Sequence, residues 1–539
     1  MTPLEDDDDR QRAVVERERN VIVEASAGTG KTTLVVERLV ELLAPRDGRA
    51  PMPIDRIAAI TFTRKAAGEL RVRTRQRILA QLAASDPASP RAAALRDALA
   101  GVDTAEIGTI HGFADRLLRS WPAQARLDPR YELDEDDARL AEECFQVLVH
   151  AAETRGLDEL LRASPAAERV EEGITTILDI QRAGLRLRSL ETEHWTYHGL
   201  DNLVAGFVLH RDLATADPPV IELDHAAFAR FASEYVQLVA DLSPATPGGR
   251  WLREVGEIVR ALAGVTDPAI LYCELVERLE RGPHGRASDT PTKAHDFAGD
   301  DRAWYAWKAF HGDDRKKPVR SRPLRDDLLA PLRRWLAIRL ARLRPVVLAV
   351  YELVKARRRV VDHVDLLLRL RDLLRDDRVI RRACQGLFDH IFVDELQDTD
   401  PLQAEILLFL CERGAEAATW DEVTLAPGKL TIVGDPKQSI YRFRRADIAT
   451  YQRVIELVER APHRSVRLSS SFRSAPGLVD WLNGRFAEIF GTSDRGGRVR
   501  GDSGEVFHQA LSRGRASGSD PTVHAVPIEH PHGASAIER

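Results

Sequence analysis

Eight consecutive residues, Ala25-Ser26-Ala27-Gly28-Thr29-Gly30-Lys31-Thr32, have the spacing of a phosphate-binding loop, with Ala25 where a first glycine is usual and Thr33 following. Glycines 28 and 30 let the backbone turn its N–H groups toward phosphate oxygens. A helix starting near Lys31 adds its positive end, Lys31 neutralises β/γ charge and Thr32 holds Mg²⁺. A flexible turn with a chance lysine is the alternative. A second constellation, His390-Ile391-Phe392-Val393-Asp394-Glu395-Leu396-Gln397-Asp398, is an apolar run that ends in adjacent carboxylates. Asp394 suits a Mg²⁺ ligand and Glu395 a base that orients or deprotonates an attacking water, the two roles nucleoside triphosphate hydrolysis requires. A capped loop with solvated acids is the bland reading.

These residues need a scaffold that brings them to one edge. Val21-Ile22-Val23, a small-residue turn and the amphipathic TTLVVERLVELL read as strand, loop and helix. Arg56 to Phe62 and the segment from Glu106 begin further β–α units, and strand patterns return at residues 390–393, 429–434 and 465–469. Repeated β–α units predict a parallel sheet covered by helices. Between about Trp121 and Gly386 long Leu/Ala/Arg/Glu-rich helical patterns predict a large helical insertion, and beyond Gly491 the Gly/Ser/Arg-rich text predicts little compact packing.

The chain has 539 residues, enough for several cores, and its apolar stretches fall short of a bilayer span. With the acidic start MTPLEDDDDR, this predicts a soluble, cytoplasmic protein with no membrane partner. The cysteines Cys144, Cys273, Cys384 and Cys411 fit no metal or redox spacing. Net charge is −6, so any polyanion must be held by local patches rather than a basic coat. One such patch is DRKKPVRSRPLR, as a duplex contact or a solvated loop.

Together with TFTRKAAGELRVR (Thr61 to Arg73), GTIHGFADRLLR (Gly108 to Arg119), VGDPKQSIYRFRRAD (Val433 to Asp447) and LSSSFRSAPGLVDWLN (Leu468 to Asn483), the two constellations resemble, in order and wording, the UvrD/Rep class of superfamily 1 DNA helicases. The long insertion and VDHVDLLLRL (Val361 to Leu370) make the AddA and RecB helicase subunits the better match. The resemblance is strongest over residues 8–120 and 385–490. It implies an α/β, RecA-like P-loop NTPase domain with a parallel sheet, a large helical insertion and the start of a second RecA-like lobe. The expected segmentation is a first lobe over 1–120 and 386–462, an insertion over 121–385 and an incomplete second lobe with a flexible end over 463–539.

By the same resemblance Gln11 reads adenine, Gln438 links the γ-phosphate to the DNA groove and Arg473 is an arginine finger. Thr61, Phe62, Thr63 and His111 line a single-strand groove. Tyr441 and Phe443, interleaved with Arg442 and Arg444, offer aromatic faces beside cations, the arrangement that stacks bases while following phosphates. Departures are Arg64 for a common Asn, Arg445 for Gly and Ser471 for Asn, none of which removes a catalytic group. The implied activity is ATP- and Mg²⁺-dependent 3′–5′ movement on single-stranded DNA in repair or recombination. The implied partners are duplex DNA and a second helicase/nuclease subunit. The family's later Gly-Leu-Glu and arginine-bearing motifs are not found, which predicts a fragment or one of two gene pieces. A truncated ATP- and DNA-binding subunit without unwinding of its own is the alternative, and an unrelated P-loop ATPase ranks last.

Overall fold

The apolar runs at residues 21–23, 56–62, 390–393 and 429–434 are strands of one parallel sheet in the computed structural model. The structure describes residues 4–154, 162, 197–209, 211, 222–266, 271, 274–275, 294–297, 300–311, 323–441, 446–490 and 510–514. Residues 314–322 of the basic cluster, the glycine-rich end apart from 510–514, and Cys273, Phe443 and Arg444 lie outside the described residues. By chain contacts the protein divides into two units, residues 1–130 with 363–539, and residues 131–362.

In chain order the strands are β1 (Asn20–Ala25), β2 (Ile57–Thr61), β3 (Glu106–Thr109), the short β4 (Glu132–Leu133) and β5 (Val360–Val361), then β6 (His390–Asp394), β7 (Leu430–Gly434), β8 (His463–Leu468) and the two-residue β9 (Ser470–Ser471) and β10 (Ser512–Arg513). The first unit holds a six-stranded sheet ordered β3-β2-β6-β7-β1-β8, with every pairing parallel. Parallel strands covered on both faces must be apolar throughout, and β2 and β7 are buried at every residue. Because all strands run the same way, the loops leaving β1, β2, β6, β7 and β8 gather at one edge, where open α/β sheets place ligands.

The flanking helices are α1 (Asp7–Val15), α2 (Lys31–Leu43), α3 (Arg64–Ala83), α4 (Pro90–Gly101) and α5 (Ile110–Ser120). Their starts are written locally. Thr63, two residues past β2, and Thr109, the last residue of β3, accept hydrogen bonds from Ala66 N and Gly112 N and so cap α3 and α5. Asp7, Asp8 and Asp9 occupy the first turn of α1, where negative charge complements the helix dipole. On α2, Leu34, Val35, Leu39 and Leu43 are buried in one cluster with Val21 and Val23 of β1 and Leu468 of β8. Fully burying each such side chain contributes roughly 1.5–3 kcal/mol.

Arg38 is buried in α2 and donates to the carbonyls of Ala13 and Val14 at the end of α1 and, at 2.9 Å, to Thr431 Oγ1 on β7. Burial pulls its guanidinium down to about 9.

The strand β8, expected to open a second lobe from residue 463, is instead the edge strand of this sheet, paired with β1 from Asn20↔His463 to Ala25↔Leu468. Its side chains alternate: Val466 and Leu468 enter the core, while Ser465 is exposed and Arg467 pairs with Glu24 on the other face. The helices His363–Asp376 and Arg378–Leu387 also belong to the sheet-bearing unit, so the helical unit is shorter than the expected 121–385.

The second unit is mainly helical, including Asp137–Thr154, His225–Val239, Pro247–Leu262, Leu324–Ala341 and Arg344–Arg358, with β4 and β5 paired in parallel. Its own core contains Leu140, Phe228, Trp251, Phe310, Leu332 and Tyr351. Within it the buried Asp362 carboxylate accepts from Arg211 and from Tyr351 OH, the latter at 2.7 Å, so the charge is compensated. No helix among the described residues is long and apolar enough to cross a membrane.

Candidate nucleotide and single-strand site

The chain leaves β1 at the buried Ala25, turns through residues 26–30 and enters α2 at Lys31. Gly28 and Gly30 have φ of +77° and +86°, a left-handed conformation that disfavours side chains. Thr29 pins the turn, its Oγ1 donating to Ser26 O at 2.7 Å. Ala27 and Thr33 are exposed, Thr32 is half-buried in the first turn of α2, and Ser26 Oγ is buried without a hydrogen-bond partner among the described residues. The segment after β8 lies on this loop: Phe472 N donates to Gly28 O at 2.8 Å, and a Cβ on Gly28 would stand 2.5 Å from the Cβ of Arg473.

Gly28→Ala therefore combines a left-handed strain of roughly 1–2 kcal/mol with a collision against Arg473. We expect it to lower the melting temperature by a few degrees and weaken nucleotide binding at least about tenfold, which thermal melts and titration with a fluorescent triphosphate measure.

Across the edge, Lys31 Nζ meets Glu395 Oε2 at 3.0 Å. Glu395 itself has φ +57°, held in place by what it contacts. Gln397 Nε2 donates to Glu395 Oε2 at 2.8 Å, while Gln397 Oε1 accepts from Asp435 N at 2.9 Å. Asp435 in turn accepts from Gln438 Nε2 at 2.7 Å and pairs with Lys437 Nζ at 3.2 Å. The chain of contacts from Lys31 through Glu395, Gln397 and Asp435 to Gln438 runs unbroken. Gln397 and Asp435 are the functional candidates that reading by residue type passed over, although both stand inside quoted motifs.

Burial first, and the neighbouring Glu395 second, push the Asp394 carboxyl up to about 6, and the same two causes do so for Asp398. Asp394 Oδ1 accepts from Glu395 N at 3.1 Å, and Asp398 Oδ1 is buried without a hydrogen-bond partner among the described residues. No cluster of three or more His, Cys, Asp or Glu suited to a metal occurs among the described residues. Mg²⁺ needs none, because it keeps waters and phosphate oxygens beside one or two protein ligands. Asp394 and Thr32 fit that donor set.

Thr61, Phe62 and His111 border a pocket whose floor includes Asp394 and Glu395. The Phe62 ring lies 4.9 Å from that of Tyr441, tilted by 34°. His111 faces His363 edge-on at 5.3 Å, and burial, helped by His363 and Arg64, lowers its imidazole to about 4. Thr63 is exposed and occupied as the α3 cap. Gln11 is exposed on α1 with no hydrogen bond among the described residues, and its neighbour Arg10 is the side chain at the loop, donating to Thr29 O at 2.8 Å.

The unfolded chain takes up a histidine proton near 6.5, and folded His111 only near 4, so His111 withdraws stability as pH falls between those values. Asp394 and Asp398 act oppositely, since the folded chain binds their protons first below about 6. Relative to His111→Gln, the wild type should thus lose stability as pH falls from 6.5 to 4. Urea unfolding at stepped pH measures the gap, and a gap that stays constant contradicts this.

A model of the UvrD/REP helicase N-terminal domain matches residues 7–234 and 338–459, well over half of the chain. The chain belongs to that family. Among curated relatives it is similar to the A-subunit of the ATP-dependent helicase/nuclease of Geobacillus thermodenitrificans, 28% identical over 527 residues covering 90% of this chain and 39% of the relative. The proteins of the same description from Moorella thermoacetica, 28% identical over 89% of this chain and 35% of the relative, and Bacillus licheniformis, 25% identical over 98% and 43%, are similar too. The chain spans about two fifths of the length of these relatives.

Proposed function

We propose that this chain carries the ATP-hydrolysing part of a DNA helicase or translocase that couples triphosphate turnover to 3′–5′ movement on single-stranded DNA in repair or recombination. The supporting observation is the polar relay Lys31–Glu395–Gln397–Asp435–Gln438, which leads from the phosphate loop to the segment bearing Tyr441. A triphosphate competes with Glu395 for Lys31. Once Lys31 turns to phosphate oxygens, Glu395 is released to accept the proton of a water aimed at the γ-phosphorus. Arg473, beside Gly28, adds positive charge where negative charge develops. Asp394 and Thr32 would hold Mg²⁺, which when bound would supply further charge neutralisation on the phosphates.

The change at Glu395 reaches Gln438 through Gln397 and Asp435, and so alters how Tyr441 and Phe62 hold a strand. The proposal includes the expected segmentation with its boundaries moved as described, duplex DNA and a second helicase/nuclease subunit for partners, and a cytoplasmic setting. A nucleotide- and DNA-binding piece without unwinding of its own is the competing proposal.

Stacking contributes roughly 1–3 kcal/mol per base. Phe62→Ala and Tyr441→Ala should therefore each weaken binding of a fluorescent single-stranded oligonucleotide by about 5- to 100-fold, leaving fluorescent-triphosphate affinity within about twofold. Unchanged strand affinity in both variants contradicts the proposed groove. Strand binding without displacement of a duplex strand favours the competing proposal.

A further inference from the structure

The segment that ends the polar relay carries a lysine that the proposed reaction does not use. In Asp435-Pro436-Lys437-Gln438 the Asp435 carboxylate, 3% exposed, holds two side chains at once. Its Oδ2 accepts from Gln438 Nε2 at 2.7 Å, while Oδ1 pairs with Lys437 Nζ at 3.2 Å and accepts from Lys437 N at 3.1 Å. The lysine side chain is itself only 11% exposed, and it is the one ion-pair partner of Asp435 among the described residues. Asp435 N donates to Gln397 Oε1 at 2.9 Å and Ser439 Oγ to Gln397 O at 3.2 Å, so the turn Pro436–Gln438 is fastened to the carboxylate loop on both sides. A lysine with only a solvated role keeps its ammonium in water. Drawing this one in costs desolvation, which the pairing with Asp435 offsets.

We infer that Lys437 is a positioning residue: it sets how tightly Asp435 grips Gln438, and thereby how strongly a bound strand accelerates triphosphate turnover. The inference rests on the proposed function, in which Gln438 passes the state of the triphosphate to the strand groove. To do so its amide must leave Asp435. A carboxylate holds its donor by a charge-assisted bond, roughly twice as strong as one between neutral groups. With Lys437 in place the negative charge is already met by an ammonium, so the amide is released more readily and the carboxylate stays compensated while Gln438 is away. Without that ammonium, release of Gln438 would leave a buried charge with only the backbone N–H of residue 437. Gln438 would then stay locked to Asp435. Lys437 thus acts through Gln438 rather than on the phosphates.

The test is steady-state ATP turnover of the full chain across a titration of single-stranded deoxythymidine homopolymer, with fluorescent-triphosphate affinity measured alongside. The proteins are wild type, Lys437→Met, Lys437→Arg, the double variant Lys437→Met with Asp435→Asn, and Lys31→Ala. Expected in Lys437→Met is a fall in strand stimulation from at least about tenfold to below about threefold, with half-saturating strand and triphosphate affinity within about twofold of wild type. Lys437→Arg, which keeps the charge, and the double variant, in which a neutral amide replaces the lone carboxylate, should both recover most of the stimulation. If Lys437→Met does not fold, the double variant, which buries no uncompensated charge, decides: folded and without stimulation, it overturns the inference. Stimulation as in wild type in Lys437→Met overturns it too. So does a loss of strand or triphosphate affinity that accounts for the lost stimulation, since Lys437 would then serve a binding surface or the fold. No stimulation in the wild type, with turnover lost in Lys31→Ala, overturns the inference while leaving the phosphate site standing. Turnover untouched by Lys31→Ala is the separate result that fails the triphosphate reading, and the inference falls with it.

Discussion

Glu395→Gln is expected to reduce triphosphate turnover by about 10²–10⁴, the range for removing a general base, while nucleotide affinity stays the same or rises. The separation of the two effects follows from the geometry. Glu395 holds Lys31 at 3.0 Å, so removing its charge frees Lys31 for phosphate oxygens while taking away the proton acceptor. The fold should be little affected, because the Glu395 side chain is 32% exposed and a partly exposed ion pair contributes up to about 1 kcal/mol. Gln397 keeps a polar partner, since an amide oxygen also accepts its Nε2 hydrogen bond. Phosphate release in a single turnover gives the rate and fluorescent-triphosphate titration the affinity. Equal turnover in variant and wild type contradicts the role of Glu395.

Lys31→Ala is expected to lose both turnover and affinity. Lys31 is the first residue of α2, and its ammonium is the loop's mobile charge, able to leave Glu395 for a phosphate. Removing a charge-assisted contact of this kind costs on the order of 1.5–3 kcal/mol in binding, about 10- to 150-fold, and turnover falls to background because the same contact stabilises the transferring phosphoryl group. Glu395 is then left with Gln397 as a partner. The pair of variants is diagnostic. Binding without turnover in Glu395→Gln, against loss of both in Lys31→Ala, requires one residue to act on the reaction and the other on the bound phosphates as well.

Much of this arrangement was legible in the chain itself, for a physical reason. Strands buried on both faces must be apolar along their length, so Val21 to Val23 and Ile391 to Val393 announce themselves, and each is followed at once by the residues it presents. Threonines at strand ends that cap the next helix belong to the same local grammar. The edge strand β8 was harder. Only one of its faces is buried, and HRSVRL looks polar until Arg464 is seen to be paired with Glu16 and Arg467 with Glu24 across the edge. Its motif therefore seemed to start a new lobe, whereas the strand completes the first sheet.

Arg10 could not be singled out from the sequence for a different reason. On α1 only Ala13 and Val14 are buried, so the segment has almost no apolar period with which to orient it. A one-residue shift turns a side chain by about 100°. The resemblance points to the Gln11 amide, and the contact with Thr29 O is made by the neighbouring Arg10 guanidinium. The contacts of Gln397 with Asp435, and of Lys31 with Glu395, join residues 38 and 364 positions apart. No local pattern encodes such distances, yet the parallel sheet makes them neighbours by ending every strand at the same edge.

The account turns on a physical link between the triphosphate site and the strand groove. The most direct measurement is the steady-state ATP turnover of the intact chain with and without a single-stranded homopolymer of deoxythymidine. We predict a rise of at least about tenfold on adding the strand, abolished in Tyr441→Ala at subsaturating strand and in Lys31→Ala at any concentration. Turnover that is the same with the strand as without it would contradict the account.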